Sequence, residues 1–340
     1  MKARQTVTFV SPLRGGGLCY DGRRLCPGPN ATFAFMISVS ELVYEYPTVR
    51  ALKGVSLRVP RGTITALVGP NGAGKTTLMR CLAALEAPYE GKVEIDGIVT
   101  SVGPREIHAR LGYLPDFYGL YDQLTVRRCL TYAARSRGIT QARVAAVVEK
   151  AASHVGLAER LSIKAGELSR GLRQRLAIAQ AIVHEPHVLL LDEPAAGLDP
   201  QARRDLSALL VSLKEKGMTL VISSHILAEL EDYCTSMIIM DEGRIVGGGT
   251  VKVRDDERPR FLLEIAAPRD DLREFLARQG GVDIIEADRH HALFTFTRNP
   301  GARAKLVRDL VQNGFDLSSF GESTRALEDA YFAGIAKAKP

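Results

Sequence analysis

The sequence predicts an α/β fold organised around one phosphate-binding loop, and three stretches predict it. An apolar run, Ile64 to Val68, leads straight into a glycine-rich segment, and a helical pattern from Leu78 to Leu85 follows. A second apolar run, His187 to Asp192, reads as a buried parallel strand that ends in a carboxylate. A third, Met218 to Ser223, is another buried strand and ends near His225.

Taken in order, residues 1–35 are rich in Gly, Pro and Arg without periodicity and are expected to be a disordered extension. A start of translation at Met36 is an equal reading, because ordered-looking sequence begins there. Ile37 to Tyr44 and Gly54 to Val59 alternate apolar and polar residues as strands do, and Pro60-Arg61-Gly62 turns the chain into the run at Ile64. Gly91 to Gly97 alternates between two glycines and is expected to be an edge strand. Leu111 to Leu114 is a short strand leading to Pro115-Asp116-Phe117.

Helical patterns then cover Thr125 to Arg137, Gln141 to Val155 and Arg173 to His184, with Thr125 and Thr140 at N-cap positions. They read as a helical insertion, about residues 120–170, within one nucleotide domain that spans 36–249. A helix from Gln201 to Lys216 ends at Gly217, and Ser236 to Met240 with Arg244 to Val246 form a hairpin around Asp241-Glu242-Gly243. Residues 250–340 change character. Strands at Arg260–Ala266, Val282–Ala287 and Ala292–Thr297 and helices at Arg269–Gln279, Gly301–Asn313 and from near Thr324 suggest a small α+β domain of β-α-β-β-α-β order.

The bulk numbers set limits. Of the net charge of +6 in 340 residues, residues 1–35 carry +4, leaving only +2 for the other 305. That argues against a nucleic-acid-binding surface. No apolar run approaches the roughly 18 residues of a membrane span, so any span has to come from a partner. Five cysteines, Cys19, Cys26, Cys81, Cys129 and Cys234, show no paired spacing and read as scattered reduced thiols.

The chemistry centres on Gly69-Pro70-Asn71-Gly72-Ala73-Gly74-Lys75-Thr76-Thr77, which fits G-x-x-x-x-G-K-[ST]. Its glycines let several N–H groups converge on an anion at the positive end of the next helix. Lys75 is placed to reach β- and γ-phosphates, and the Thr76 hydroxyl to hold magnesium. Asp192 can hold the same ion through water, and Glu193 is next in line to orient and polarise an attacking water.

Leu168-Ser169-Arg170-Gly171-Leu172-Arg173-Gln174-Arg175 resembles the LSGGQxQR signature of the ATP-binding cassette (ABC) ATPases, carried by Ser169, Gly171, Gln174 and Arg175. Arg170 replaces the first glycine and Leu172 the glutamine. The rest of the ABC pattern follows over about two-thirds of the chain. Tyr46 resembles the aromatic that stacks on adenine, and Ala196-Gly197-Leu198-Asp199-Pro200 the loop that contacts a partner subunit. His225 resembles the switch histidine that donates to the γ-phosphate. Asp116 stands where the family has a magnesium-touching glutamine. Asp116 is shorter and anionic, and is expected to keep a weakened metal contact.

The resemblance implies a P-loop NTPase fold with a RecA-like core, an antiparallel β subdomain and an inserted α-helical subdomain. It implies ATP and Mg2+ as ligands, and two copies facing head to tail. Ser169 and Gly171 of one copy would bind the nucleotide held by Lys75 of the other. Gly112-Tyr-Leu-Pro115, Gly119-Leu-Tyr-Asp122, Leu124-Thr-Val126 and Leu327-Glu328-Asp329 resemble the ATPase subunits of ABC-2-type exporters. Such a subunit acts at the cytoplasmic face of the membrane through an integral permease, with no nucleic acid. Two other readings stand beside it: a soluble ABC ATPase acting on nucleic acid or ribosomes, and a regulatory nucleotide-binding module with little hydrolysis.

Overall fold

Residues with a residue-by-residue apolar/polar alternation build the first sheet of the computed structural model, which describes residues 35–227, 230, 233–250, 259–297 and 299–322. The expectations for residues 1–34, for a helix near Thr324 and for Leu327–Asp329 lie outside these residues. The chain divides into two units near residue 251.

In the first unit, β1 (Phe35–Tyr46) and β2 (Val49–Pro60) pair antiparallel across a tight turn, so both are longer than their clean alternation suggests. The alternation of β1 breaks where Ser40 and Glu41 are both exposed, and Glu41 sits at φ 48° in a bulge. After β3 (Ile64–Val68) and α1 (Lys75–Leu82) come β4 (Glu90–Ile95) and β5 (Ile98–Val99). The order of this sheet is β2-β1-β4-β5, so β4 is not the edge strand expected from its sequence. Asp96-Gly97, at φ 52° and 79°, make the left-handed two-residue turn that adds β5 outside it.

The second sheet holds β6 (Leu111–Leu114), which follows α2 (Pro104–Arg110), a helix the sequence reading did not mark. Next come α3 (Val126–Ser136), α4 (Gln141–His154), α5 (Arg170–Ile182), β7 (Val188–Asp192), α6 (Pro200–Glu215), β8 (Thr219–Ser224), β9 (Ser236–Asp241) and β10 (Arg244–Thr250). The order is β10-β9-β3-β8-β7-β6, with every pair parallel except β10 on β9. Strands β3, β7 and β8 are buried at every residue, which explains their largely apolar sequences. Helix α1 is enclosed between the sheets: Leu78, Met79 and Leu82 share one core with Leu42, Leu52 and Val55 of the first and Leu190 and Val221 of the second.

Helix α3 packs on α4 and α5. The Thr125 hydroxyl caps α3 by accepting the Arg128 N–H (3.3 Å), while Thr140 occupies the cap position of α4 without a side-chain bond.

In the second unit, β11 (Arg260–Ile265), α7 (Leu272–Ala277), β12 (Asp283–Ala287), β13 (His291–Thr295), α8 (Pro300–Gln312) and β14 (Leu317–Glu322) follow β-α-β-β-α-β order. They form an antiparallel sheet β12-β13-β11-β14 around Phe261, Leu263, Phe294, Leu306, Leu310 and Phe315. Helix α7 is shorter than the pattern Arg269–Gln279, because Arg269 is held against Asp271 and lies 4.2 Å over the Phe315 ring. Among the described residues no helix is long and apolar enough to cross a membrane.

Candidate functional site

Four neighbouring parallel strands end at one sheet edge, where ligands of open α/β sheets bind. Gly69 leaves β3, Asp192 and Glu193 leave β7, His225 leaves β8 and Asp116 follows β6. Only glycine fits at the loop's two ends. A Cβ on Gly69 would lie 2.2 Å from the Met240 carbonyl oxygen, and one on Gly74, at φ 99°, would lie 2.8 Å from that of Ala51. Between them Ala73 is buried and its N–H donates to the Pro70 carbonyl at 3.2 Å, while Asn71 and Gly72 are exposed.

Lys75 is buried, and its Nζ folds back to donate to the carbonyls of Gly69 (2.7 Å) and Pro70 (3.3 Å). Thr76 is exposed on the first turn of α1. Thr77 is buried, with its hydroxyl 3.4 Å from that of Tyr46, which puts this half-exposed ring beside the loop.

Asp192 is 1% exposed. Its Oδ1 accepts from the Ser223 hydroxyl, and its Oδ2 has neither a protein partner nor solvent. Glu193 takes the left-handed φ of 47°, and its N–H donates to Ser223 Oγ at 2.9 Å. Its Oε2 lies 2.8 Å from Nδ1 of His225, and its Oε1 lies 3.7 Å from Nζ of Lys75. A cleft of about 240 Å³ joins these acids to Asp116, Tyr118, Arg170 and Gln174. Burial, and then the charges of Asp192 and Glu193, push the Asp116 carboxyl above the usual range, against the pull of His225.

The bare, buried Oδ2 of Asp192 is the oxygen a hard cation takes. Among the described residues no three His, Cys, Asp or Glu side chains are grouped to enclose a metal.

Ser169, Gly171 and Asp199 lie elsewhere, in a groove of about 470 Å³ with Arg160 and Arg175. Ser169 caps α5, its hydroxyl accepting the Leu172 N–H at 3.4 Å, and Asp199 caps α6, accepting the Ala202 N–H at 2.8 Å. The predicted site residues thus form two groups within one chain. Ser223 belongs to the first and was not singled out from sequence. Its signal is the pair of hydroxyls, Ser223 and Ser224, that ends a buried strand after the apolar Leu220-Val221-Ile222, where each must find a partner.

Residues 52–196 match the sequence profile of the family described as ABC transporter. Over 298 residues the chain is 31% identical to the uncharacterized ABC transporter ATP-binding protein YxlF of Bacillus subtilis (strain 168), covering 87% of this chain and 98% of YxlF. The chain belongs to the ATP-binding proteins of ABC transporters. Like them it is an ATPase, with hydrolysis coupled to transport.

Other ABC relatives include a Nod factor export ATP-binding protein I of Burkholderia pseudomallei (strain 1710b), 34% identical over 71% of this chain and 82% of its own. Methionine import ATP-binding protein MetN 2 of Shouchella clausii (strain KSM-K16) is 35% identical over 64% and 66%. A solved structure described as the ATP binding subunit of an ABC transporter superposes with a TM-score of 0.57 at 33% identity, over 64% of this chain and 90% of that one.

Proposed function

We propose that two copies of this ABC ATPase, facing head to tail at the cytoplasmic face of a membrane, drive a permease of the ABC-2 exporter type. One observation carries the two-copy reading: Ser169, Gly171 and Asp199 line a groove that contains neither Asp192 nor Glu193, which line the neighbouring cleft across Arg170. Each chain then holds half of two sites, and a triphosphate completes a site only between copies. Export is supported by Gly112 to Pro115, by Gly119 to Asp122, and by the β-α-β-β-α-β unit. The relatives' names include both an export and an import protein.

In this mechanism the loop from Gly69 to Thr77 receives the phosphates, and Lys75 exchanges its carbonyl contacts for phosphate oxygens. Tyr46 supports the adenine. Thr76 and Asp192, with Asp116 across the cleft, would hold Mg2+, which supplies charge neutralisation on the phosphates. Glu193 orients the attacking water and takes its proton, steadied by His225. Ser169 and Gly171 of the second copy donate to the γ-phosphate, so its loss on hydrolysis releases the closure.

The test is light scattering and phosphate release from the full chain with ATP and magnesium. Glu193→Gln is expected to form a stable ATP-dependent pair that Ser169→Arg abolishes, with wild-type turnover per chain rising with protein concentration. Full-speed turnover by isolated copies at high dilution would overturn the reading.

A further inference from the structure

Arg170 is the residue shared by the two grooves. It occupies the first position of α5, directly after the cap Ser169, where the helix dipole disfavours a cation. Its guanidinium compensates by crossing to the turn that follows Glu193: Nη2 donates to the Ala196 carbonyl at 3.0 Å. The group also lies flat against Gly197, at φ 66°, where a Cβ would fall 2.3 Å from Nη2 and 2.5 Å from Cζ. That turn is continuous with the catalytic carboxylate, because the Ala196 N–H donates to the Glu193 carbonyl at 3.1 Å. The same end of α5 also packs closely on α6, which follows that turn. A Cβ on Gly171 would meet the Ala202 Cβ at 3.0 Å, and Arg175 pairs with Asp205 at 2.9 Å.

We infer that Arg170 is a positioning residue that ties the Ser169–Gly171 end of α5 to the Glu193–Gly197 turn of the same chain. An anion captured at Ser169 then sets the carboxylate serving the other nucleotide. The inference rests on the two-copy reading above, and it adds a cause for cooperation between the two sites: a movement of α5 toward a phosphate pulls on the Ala196 carbonyl through the Arg170 bond. The planar guanidinium is suited to this, since it bonds a carbonyl edge-on while covering a bare Cα.

The experiment compares wild type with Arg170→Gly, Gly197→Ala and the double variant of the full chain. It reads ATPase kinetics, binding of a fluorescent ATP analogue and melting temperature. Arg170→Gly is expected to lower kcat about tenfold, to leave KM and analogue affinity within about twofold, and to bring a Hill coefficient above one down to one. Gly197→Ala, which crowds the guanidinium and also strains the φ of 66°, should lower kcat at least as much as Arg170→Gly, and the double variant should be no worse than Gly197→Ala alone.

An Arg170→Gly chain with unchanged kcat would overturn the inference. So would a tenfold weaker KM at unchanged kcat, which makes Arg170 a direct phosphate ligand, or additive losses in the double variant. ATP-dependent pairing by Glu193→Gln checks the two-copy reading separately. If that pairing survives and Arg170→Gly turns over normally, the tether alone is wrong; if the pairing itself is missing, the two-copy reading fails.

Discussion

His225 Nδ1 lies 2.8 Å from Oε2 of Glu193, while the other oxygen of the same carboxylate looks at Lys75 Nζ from 3.7 Å. The carboxylate is therefore held from both sides, and each holder can be removed separately. Glu193→Gln keeps the shape and loses the base, so turnover should fall at least about 100-fold with ATP binding retained. His225→Ala leaves the base and loosens it, so a smaller drop of about tenfold is expected, in kcat more than KM. Phosphate release and nucleotide titration measure both.

Among the described residues, only Ser223 hydrogen-bonds the buried Asp192 carboxylate. In Ser223→Ala both of its oxygens are bare, whereas the Glu193 N–H still has the Ser223 carbonyl at 3.2 Å. The nucleotide-free variant should lose about 1–3 kcal/mol of stability. Denaturant melts with and without ATP and magnesium would show the deficit shrinking when a cation covers Asp192.

Asp116 is held above the usual carboxyl range by burial and by Asp192 and Glu193. A carboxyl whose folded pKa is raised favours folding below its unfolded value and loses that contribution as pH rises through the folded one. Asp116→Asn should therefore match wild type in acid and become progressively more stable than it as pH climbs from about 4 toward neutrality. Melting curves in metal-free buffer across that range check the sign.

Asp96 gives the opposite dependence. Burial works against its charge, but Arg61, His187 and Arg110 hold its carboxyl below the usual range, with Arg110 Nη1 at 2.9 Å and His187 Nδ1 at 3.3 Å. Its stabilisation is present above the unfolded pKa and lost as pH falls through the lower folded value. Asp96→Asn should cost about 2 kcal/mol at neutral pH, and the difference should vanish in strong acid. The loss should loosen the join between the β4–β5 turn and the parallel sheet.

The parallel core was legible because buried strands leave long apolar runs and the phosphate loop has a fixed spacing. The neighbouring strand ends were not, since strand order β3-β8-β7-β6 is a tertiary fact. Strand β5 is two residues long and α2 seven, too short for periodicity, so β4 reads as an edge strand although Asp96-Gly97 carries the hairpin signal. Arg170 was visible only as a departure from a glycine. Its contact with Ala196 spans 26 positions and depends on how α5 meets α6.

Lys75 ends where it began, with its ammonium pinned under two peptide oxygens of its own loop. An ammonium held in this way stays at the mouth of the loop and out of solvent, and it ties the first two residues of the loop to the start of α1. A phosphate competing for that ammonium has to displace two carbonyls, which favours a highly charged anion over a weak one.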